Sequence, residues 1–451
     1  MRILWTSPHC RPDWLDRLGE ESQGGQTVVM NKLPHALVRA NDEIEIDIFT
    51  RLQTDDPSAD RPVKRLDGNP RVRLIRLPCG PTERYVPKER LYGEPIAEFV
   101  DQIGAFAEQE GQRYDLLHGH YADGWETVTQ LKARWPHAPG TLLTTHSLGR
   151  RKRLDALERG EGTESELDAK YNFTVRIRSE ERSLAAADRI LPLSTPEAEI
   201  LVGAYESVPP GDPRLIVFPN GISPDDFPSR SDGARREMRE ALGVAEGTFL
   251  LLVPSRVDPR KGQMNILLSM IDVHSKLNGY PFRVLFMAWP DPPTPYAVQL
   301  RQLVSSADLG RWVMTHPPVS HEEMPDFFAA ADAAALPSQE YFSIAMLETM
   351  LLRKPLIASV HSSGIDVITD GVDGLIVDHN DPAELGGALV ELLEMGPAAR
   401  QEMGRRARDR VLRGYTWDRL AERLLGIYAE AIIPPDPPGL GVPREPPRRG
   451  S

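Results

Sequence analysis

Short apolar runs alternate with longer amphipathic segments along most of this chain. The first half contains six apolar runs, at residues 3–6, 44–49, 72–77, 116–118, 141–145 and 190–193. Segments such as 28–40 and 96–108 lie between them and have the periodicity of helices with one apolar face. This alternation is typical of a parallel sheet whose faces are covered by helices, so we predict an α/β fold.

The second half of the chain repeats the pattern. Its apolar runs lie at residues 249–253, 283–287, 312–315, 333–336, 356–358 and 375–377. The 451 residues exceed what one hydrophobic core accommodates, and they suffice for two domains of about 200 each. We therefore predict two Rossmann-like domains, at 1–217 and 218–414, which meet near a strand at 215–218 and the Asn220-Gly221 turn.

Three segments stand apart from this alternation. Residues 415–432 place Trp417, Leu420 and Leu424 on one face and predict a single amphipathic helix. The tail 434–451 is rich in proline, glycine and arginine, which predicts disorder. The charged segment 150–169 fits either a mobile loop over an active site or a solvated surface insertion.

Composition narrows the class of function. A net charge of −13 disfavours non-specific binding to nucleic acid or to anionic membranes. The absence of any apolar stretch of about 18 residues, with only a short apolar run at the start, predicts a cytoplasmic protein without stable membrane insertion. Cys10 and Cys79 offer no disulfide framework and are expected to be buried small side chains.

Candidate binding residues in the first half follow the predicted strands. Gly24, Gly25 and Gln26 precede a helix, where glycines let the backbone approach a ligand and free N–H groups attract phosphate. A flexible loop of no function is the alternative. His118, His120 and His146 follow strands and fit either sugar binding or a structural role. No third ligand accompanies His118 and His120 at helical spacing, so we predict no metal.

Three basic residues and two glutamates complete the set. Lys152, Arg176 and Arg178 can converge on a phosphate dianion, although a solvated helix face would look the same. Glu340 and Glu348 flank the start of a helix that follows an apolar strand. A carboxylate at a strand end can hold sugar hydroxyls, and one two helical turns later can reach a ribose.

These motifs resemble a known family. Glu340 and Glu348, the segments 255–262 and 353–358, and Gly364 resemble the donor-binding domain of retaining family 4 glycosyltransferases with the GT-B fold. The N-terminal motifs resemble sucrose-phosphate synthases and mannosylfructose-phosphate synthases, at the residues 24–26, 77–81, 85–89, 118–123, 145–149, 152, 176 and 178. The resemblance spans roughly residues 1 to 430. It implies two domains facing each other across a cleft, with the helix 415–432 crossing back to the first.

The resemblance also implies a role for each residue. On the donor side it assigns Gly24, Gly25, Gln26, Ser343 and Ile344 to the diphosphate and sugar, Arg256 and Lys261 to the leaving pyrophosphate, Glu340 to sugar hydroxyls and Glu348 to the ribose. It places His146 at the transferred sugar. The acceptor pocket would consist of Lys88, Tyr121, Ser147, Lys152, Arg176 and Arg178. Two fixed cations can stabilise a leaving diphosphate without a metal ion, so no cofactor is expected.

The implied reaction moves a sugar from a nucleotide sugar of the UDP-glucose kind to a phosphorylated sugar such as fructose 6-phosphate. Ser343, and Trp289 after a strand, depart from the family pattern and leave the donor's base and sugar open. One alternative is a mannosylfructose-phosphate synthase that uses GDP-mannose. Another is a pseudoglycosyltransferase that couples a nucleotide-activated cyclitol to an amino sugar. A third is a non-catalytic nucleotide- or sugar-binding protein.

Overall fold

The computed structural model describes residues 1–15, 24–54, 61–84, 86–135, 137 and 139–432. The sequence-based assignments at 21–23, at position 85 and in the tail 434–451 lie outside the described residues. Within the described part of the chain, every helix is too short or too polar to traverse a lipid bilayer.

A seven-stranded sheet organises the first half of the chain. Its strands are β1 (Arg2–Thr6), β2 (Glu45–Arg51), β3 (Val63–Arg65), β4 (Val72–Leu77), β5 (Leu116–His120), β6 (Gly140–Thr144) and β7 (Arg189–Leu191). They lie in the order β3-β4-β2-β1-β5-β6-β7, and the described pairs are parallel except β3 with β4. The accompanying helices are α1 (Gly25–Ala40), α2 (Glu94–Gln109), α3 (Tyr121–Arg134), α4 (Gly149–Glu158), α5 (Glu164–Tyr171), α6 (Phe173–Ala186) and α7 (Thr195–Ala204).

A six-stranded parallel sheet organises the second half. Its strands are β8 (Phe249–Val253), β9 (Phe282–Phe286), β10 (Val313–Thr315), β11 (Ala333–Leu336), β12 (Leu356–Ser359) and β13 (Leu375–Val377), in the order β10-β9-β8-β11-β12-β13. Its helices are α8 (Asp232–Ala241), α9 (Gln263–Asp272), α10 (His274–Leu277), α11 (Pro295–Ser306), α12 (Met324–Ala330), α13 (Ile344–Leu351), α14 (Gly364–Val367), α15 (Pro382–Glu394) and α16 (Pro397–Gly414). The last described helix is α17 (Trp417–Ile432).

Both sheets have the doubly wound Rossmann order. Leaving out the short edge strand β3, the two orders are equivalent: the chain starts at a central strand, builds one side and then crosses to the other. In such sheets ligands bind beyond the carboxyl ends of the two strands where the winding reverses. These strands are β1 and β5 in the first sheet, and β8 and β11 in the second. The predicted fold class is confirmed.

Helix α17 returns to the first sheet. Trp417, Leu420 and Leu424 are buried in the same cluster as Ile3 and Trp5 of β1. The Tyr428 hydroxyl of α17 accepts a hydrogen bond from Trp5 Nε1 at 3.1 Å. The end of the chain therefore fastens the second half of the molecule to the first.

The two domains also touch beside the cleft. At the start of α7, the backbone N–H and the hydroxyl of Thr195 donate to the two carboxylate oxygens of Asp366 on α14, at 2.7 and 2.5 Å. Lys32 on α1 lies 3.0 Å from the carboxylate of Asp226 in the second half of the chain. These polar contacts join the two domains in addition to α17.

Three local predictions differ from the structure. Residues 215–218 do not form a full strand: Leu215 makes an isolated parallel bridge to Ile190, and the N–H groups of Ile216 and Phe218 donate to carbonyls of β7 and of the residue after it. The charged segment 150–169, predicted as a mobile loop or a solvated surface insertion, is mostly helical: it forms α4, which borders the cleft, and most of α5, whose start has a capping box of Thr163 and Glu166. The antiparallel strand β3 is short and half-exposed, so it carries too little hydrophobic signal to be recognised.

Candidate active site

A cavity of about 1000 Å³ lies between the carboxyl ends of the two sheets. The first domain contributes His9, Gly24, Gly25, Gln26, Lys88, Tyr121, His146, Ser147 and Lys152 to its wall. The second domain contributes Arg256, Arg260, Glu340, Phe342 and His361. A space of this size accommodates a nucleotide sugar, and both switch points of the fold open into it.

A cluster of basic side chains surrounds Tyr121 on the first wall. Its hydroxyl accepts hydrogen bonds from Arg176 Nη1 at 2.8 Å and from Lys152 Nζ at 3.1 Å. The ammonium of Lys88 lies 5.1 Å from the centre of the Tyr121 ring. Tyr121 has a backbone φ of 65°, a left-handed conformation that is uncommon for a tyrosine and that occurs at functional sites.

The charges of this cluster act on one another. Burial raises the pKa of the Tyr121 phenol, but the positive charges of Arg176, Lys152 and Lys88 together outweigh burial and hold it well below its ordinary value. Burial lowers the pKa of Lys152, and the phenol opposes that effect. Positive charge therefore exceeds negative charge at this wall, which favours an anionic ligand.

Arg176 is occupied within the protein and does not line the cavity. Its Nε donates to Glu180 at 2.8 Å, and its Nη2 donates to the carbonyl and hydroxyl oxygens of Ser147 at 3.0 and 3.1 Å. Arg176 thus positions Tyr121 and Ser147 from behind. A Cβ added to Gly149 would lie 2.7 Å from Glu180 Oε2, so a larger residue at the start of α4 would displace the carboxylate of this pair.

The prediction that Arg178 converges with Lys152 and Arg176 on one site is wrong, because Arg178 faces away from them. Two residues along a helix turn the side chain by about 200°, so Arg178 emerges on the opposite side of α6 from Arg176. It is exposed and does not line the cavity. A run of alternating arginines at the start of a helix cannot place both on one face.

His146 is a neutral histidine at the cavity wall. Burial, together with the nearby His9, lowers the pKa of His146 to about 3. Its Nε2 lies 3.0 Å from Nδ1 of His120, and its φ of 58° turns the ring out of the line of β6. His118 points away from the cavity, where Tyr428 and Thr144 hydroxyls lie 2.8 Å from its two ring nitrogens, so it has a structural role.

His9 is a cavity residue that the sequence patterns did not identify. It follows β1, its Nδ1 lies 2.7 Å from Asp123 Oδ2, and its ring packs edge-on against Tyr121 with centroids 4.7 Å apart. The signal was available, because β1 is the central strand at which the winding of the first sheet reverses. The distance of more than a hundred residues between His9 and Asp123 concealed the pair.

The glycine-rich segment meets the second domain. Gly24 precedes α1 without a side-chain cap, and Gln26 Nε2 donates to the hydroxyl of Ser7 at 2.8 Å. A Cβ on Gly25 would lie 3.4 Å from the side chain of Ile344, the first residue of α13. The free N–H groups at the start of α1 therefore face the cavity beside the start of the second domain's helix.

The second wall centres on an ion pair between Lys261 and Glu340. Gly262 makes it possible: its φ is 77°, and an added Cβ would lie 2.2 Å from the carbonyl oxygen of Pro337. The segment after β8 and the segment after β11 thus pack directly against each other. Arg256 is exposed at the cavity wall, where its guanidinium is accessible to a ligand.

Four predicted donor residues do not line the cavity in this structure: Lys261, which reaches its wall only through the ion pair with Glu340, and Ser343, Ile344 and Glu348. Ser343 and Glu348 are nearly buried. Glu348 Oε1 lies 3.2 Å from His321 Nε2, and this hydrogen bond raises the pKa of His321. Trp289 is buried beyond the end of β9, and its Nε1 has no hydrogen-bond partner among the described residues.

One group of side chains in the described part of the chain has the donor set for a metal ion. The ligand atoms of His361, Asp378 and His379 lie within 4.8 Å of one another, and His361 also lines the cavity. The Ser359 hydroxyl lies 2.7 Å from His379 Nδ1, which leaves the other ring nitrogen available. Because the three residues follow two different strands, their spacing gave no motif.

Comparison with known proteins identifies the class. Residues 234–410 match the family described as Glycosyl transferases group 1, and residues 24–221 match the Glycosyl transferase 4-like domain. D-inositol 3-phosphate glycosyltransferase from Xylanimonas cellulosilytica is 30% identical over 437 residues, covering 95% of this chain and 97% of that protein. The protein of the same name from Actinosynnema mirum is 28% identical, with the same coverage.

Solved structures agree with this match. Sucrose-phosphate synthase from Thermosynechococcus elongatus has a TM-score of 0.73 and 26% identity, covering 95% of this chain and 98% of that chain. Anabaena HepE in complex with UDP and glucose has a TM-score of 0.61 at 15% identity, which is a likeness of fold alone.

Two Rossmann-like domains with a polar cavity between their switch points define a glycosyltransferase of the GT-B fold that uses a nucleotide sugar. The chain belongs to the glycosyltransferase family made up of the group 1 and 4-like domains. The predicted family and enzyme class are confirmed, whereas the sucrose-phosphate-synthase branch stays a prediction.

Proposed function

We propose that this chain transfers a hexosyl group, with retention of its anomeric configuration, from a nucleoside diphosphate sugar to a hydroxyl of a phosphorylated acceptor. The observation that carries the proposal is the group of Lys88, Lys152 and Arg176 around Tyr121, with Lys152 and Arg176 on its hydroxyl and Lys88 over its ring. This group faces the ion pair and the arginine of the second wall across one cavity.

The first wall suits a phosphate dianion. Lys88 and Lys152 line the cavity directly, while Arg176 holds the Tyr121 and Ser147 hydroxyls toward it. A phosphate would supply the negative charge that these cations now share with the phenol. Charge-assisted hydrogen bonds of this kind are the strong ones, so the phosphate would dominate recognition of the acceptor.

The second wall suits the leaving diphosphate. Arg256 and Lys261 would neutralise its growing charge, Glu340 would hold hydroxyls of the sugar, and Glu348 would hold the ribose after a small rearrangement of α13. Ser343, Ile344 and the segment 24–26 would offer backbone N–H groups. The bond from the anomeric carbon to the diphosphate oxygen breaks as the acceptor oxygen bonds to the same face, and the acceptor's proton passes to the departing phosphate.

Two acceptors deserve the first assays. Fructose 6-phosphate is the acceptor predicted by the motifs of the first domain, and the sucrose-phosphate synthase likeness supports it. Inositol 3-phosphate is supported by the names of relatives that match over nearly the whole chain. Both are polyhydroxylated ring compounds that carry a phosphate monoester, which is the chemistry that the cluster around Tyr121 favours.

The deciding experiment measures nucleotide release and product formation for UDP-glucose, GDP-mannose and other donors with each acceptor and its dephosphorylated analogue. We expect turnover with a phosphorylated acceptor and little with fructose or free inositol. Turnover with a cyclitol nucleotide alone would favour the pseudoglycosyltransferase. Nucleotide binding, seen as a rise in Tm, without turnover on any acceptor would favour the non-catalytic alternative.

A further inference from the structure

A second cavity, of about 850 Å³, lies on the opposite side of the second domain from the cleft. It borders the beginnings of strands, at Phe249 of β8, at Asp332 before β11 and at Pro355 before β12, whereas the cleft borders the strand ends. Seven basic and three acidic residues line it, although the chain as a whole has a net charge of −13. We call this cavity the rear pocket.

Structural roles account for some of these cations. Arg235 and Arg239 donate to the last carbonyls of α12 and to Asp332, and they thereby cap that helix. Arg230 and Arg405 pair with neighbouring carboxylates. These four would be expected in any stable arrangement of the same helices.

The remaining three basic residues, Arg353, Lys354 and Arg400, keep donors that structural contacts do not use, although Lys354 also caps the end of α12 and Arg400 caps the end of α15. The side chain of Arg353 is exposed and has no hydrogen-bond or ion-pair partner among the described residues. Lys354 gives its closest hydrogen bond to the carbonyl of Ala331 at 2.8 Å and retains a further donor. Arg400 engages only Nη1 in hydrogen bonds with the described residues, and its guanidinium lies 5.0 Å from the centre of the Phe249 ring.

Arg353 is also held in an unfavourable conformation. Its φ is 61°, and it occupies the position just after the C-cap of α13, where glycine is the usual residue. An added Cβ on Gly404 of α16 would lie 2.0 Å from the Arg353 carbonyl, so close packing fixes this backbone in place. A glycine would adopt this backbone without strain, so the fold itself does not require an arginine at this position.

Two further features are expected of an electropositive pocket. Burial, reinforced by the charges of Arg235 and Arg239 and opposed by Asp332, lowers the pKa of Lys354 to about 8. The start of α16 borders the pocket, and it has neither a side-chain cap nor an acidic residue in its first turn. An anion would relieve the repulsion among the cations and accept from the free N–H groups.

We infer that the rear pocket binds a small phosphate-bearing anion through Arg353, Lys354 and Arg400. The volume is suited to a phosphorylated metabolite, and the acidic surface of the rest of the chain disfavours an anionic membrane as the ligand. This inference does not depend on the proposed transfer reaction, because the rear pocket and the cleft share no lining residue.

The test is calorimetric titration of the full chain with pyrophosphate in chloride buffer. Arg353→Gly removes the cation and the backbone strain together, so this variant should fold at least as well as the parent and should bind pyrophosphate in the rear pocket about tenfold to a hundredfold more weakly. Arg413→Ala, which removes an exposed arginine elsewhere on α16, should leave the isotherm unchanged. Lys88→Ala identifies any pyrophosphate that binds in the cleft instead of the rear pocket. This variant should weaken only a binding event that Arg353→Gly leaves unchanged.

An isotherm that is the same for the parent and Arg353→Gly would overturn the inference, and so would an equal loss in Arg413→Ala. Arg400→Gln provides a second variant, with the same direction of effect expected. Sedimentation with phosphatidylglycerol vesicles distinguishes the source of the phosphate: vesicle binding that requires Arg353, without pyrophosphate binding, would identify a membrane surface and refute a small ligand.

Discussion

The two walls of the cleft differ in how far their chemistry is assembled. On the first wall, the ion pair of Arg176 and Glu180 is almost completely buried, at 5% and 0% side-chain exposure, and each partner has further hydrogen bonds. On the second wall, Lys261 and Glu340 are 16% and 25% exposed, and Arg256 is exposed. The first wall is rigid before a ligand arrives, whereas the second keeps its cations accessible.

This difference suits the two ligands of a glycosyltransferase. A buried network costs desolvation during folding, and in return it presents hydroxyls and cations in fixed positions to a rigid acceptor. An exposed pair can exchange partners when a diphosphate arrives and again when it leaves. Substitutions on the first wall should therefore affect stability as well as binding, and those on the second wall should affect turnover alone.

Removal of Arg176 should have the largest effect on stability. Arg176→Ala leaves the Glu180 carboxylate buried without its cation, and breaking one side of a buried pair costs about 3–5 kcal/mol. Chemical denaturation should show this loss. The matched control, Arg178→Ala, removes the exposed arginine two residues away and should stay within about 0.5 kcal/mol of the parent. Similar values for the two variants would show that the first wall is not preassembled.

The buried carboxyl group of Glu197 should make the stability contributed by the first wall depend on pH. It lies behind the first wall, where it accepts hydrogen bonds from the hydroxyl of Thr145 and the N–H of Leu193, and burial raises its pKa from an ordinary 4.5 to about 7. The folded state therefore holds the proton more tightly than the unfolded state. Its contribution to stability is complete below pH 4.5 and is lost as pH rises to about 7.

Glu197→Gln should remove this dependence. A pKa difference of about 2.5 is equivalent to about 3 kcal/mol, so the parent should lose that amount relative to the variant between pH 4.5 and 7. Unfolding free energies measured across this range provide the test. Parallel curves for the two proteins would mean that the pKa of Glu197 is the same in the folded and unfolded states.

Substitutions on the second wall should separate turnover from stability. Arg256→Ala and Lys261→Ala should each lower kcat by about 10²-fold or more, since each removes charge that stabilises the leaving diphosphate. Their Tm values should match that of Lys276→Ala, an exposed control on α10. Normal turnover by either variant at saturating donor would refute its role.

A smaller and more selective effect is expected for Lys152. Lys152→Ala should lower kcat/KM for a phosphorylated acceptor about tenfold to a hundredfold, with little change in KM for the donor. The dephosphorylated acceptor should lose nothing further. Arg178→Ala again serves as the control, because its side chain lies away from the cavity. Equal losses on both acceptors would show that Lys152 supports the wall without contacting phosphate.

The sequence predicted the architecture well because strand ends and switch points follow from hydrophobic patterning. Glu340 and Lys261 lie where two neighbouring strands end, and their strands were recognisable as apolar runs. Helix phase was the weak point of the site prediction. Arg176 and Arg178 look alike in sequence, yet only the packing of α6 on α3 decides that Arg176 faces inward.

Contacts between residues that are distant in sequence could not be predicted from local patterns either. His9 acquires its partner Asp123 only when β1 and β5 lie side by side, and the partial strand pairing of 215–218 depends on its contact with β7. Neither feature has a local pattern. The donor set of His361, Asp378 and His379 has the same origin, since it joins the ends of β12 and β13.

The smallest expected effect is that of a chelator on activity, and the donor set of His361, Asp378 and His379 makes it worth measuring. If Arg256 and Lys261 neutralise the diphosphate, activity in excess chelator should stay within about twofold of the untreated enzyme, and added Mg²⁺ should change it little. A loss of activity with chelator, restored by a divalent ion, would contradict the cation-only account. His379→Ala then locates the ion, because it removes a ligand of the His361, Asp378 and His379 group and leaves the second wall's cations in place. If His379→Ala abolishes both the activity and its restoration by a divalent ion, the ion that assists the leaving group is bound by His361, Asp378 and His379. Chelator sensitivity that persists in this variant would instead place the ion on the diphosphate itself.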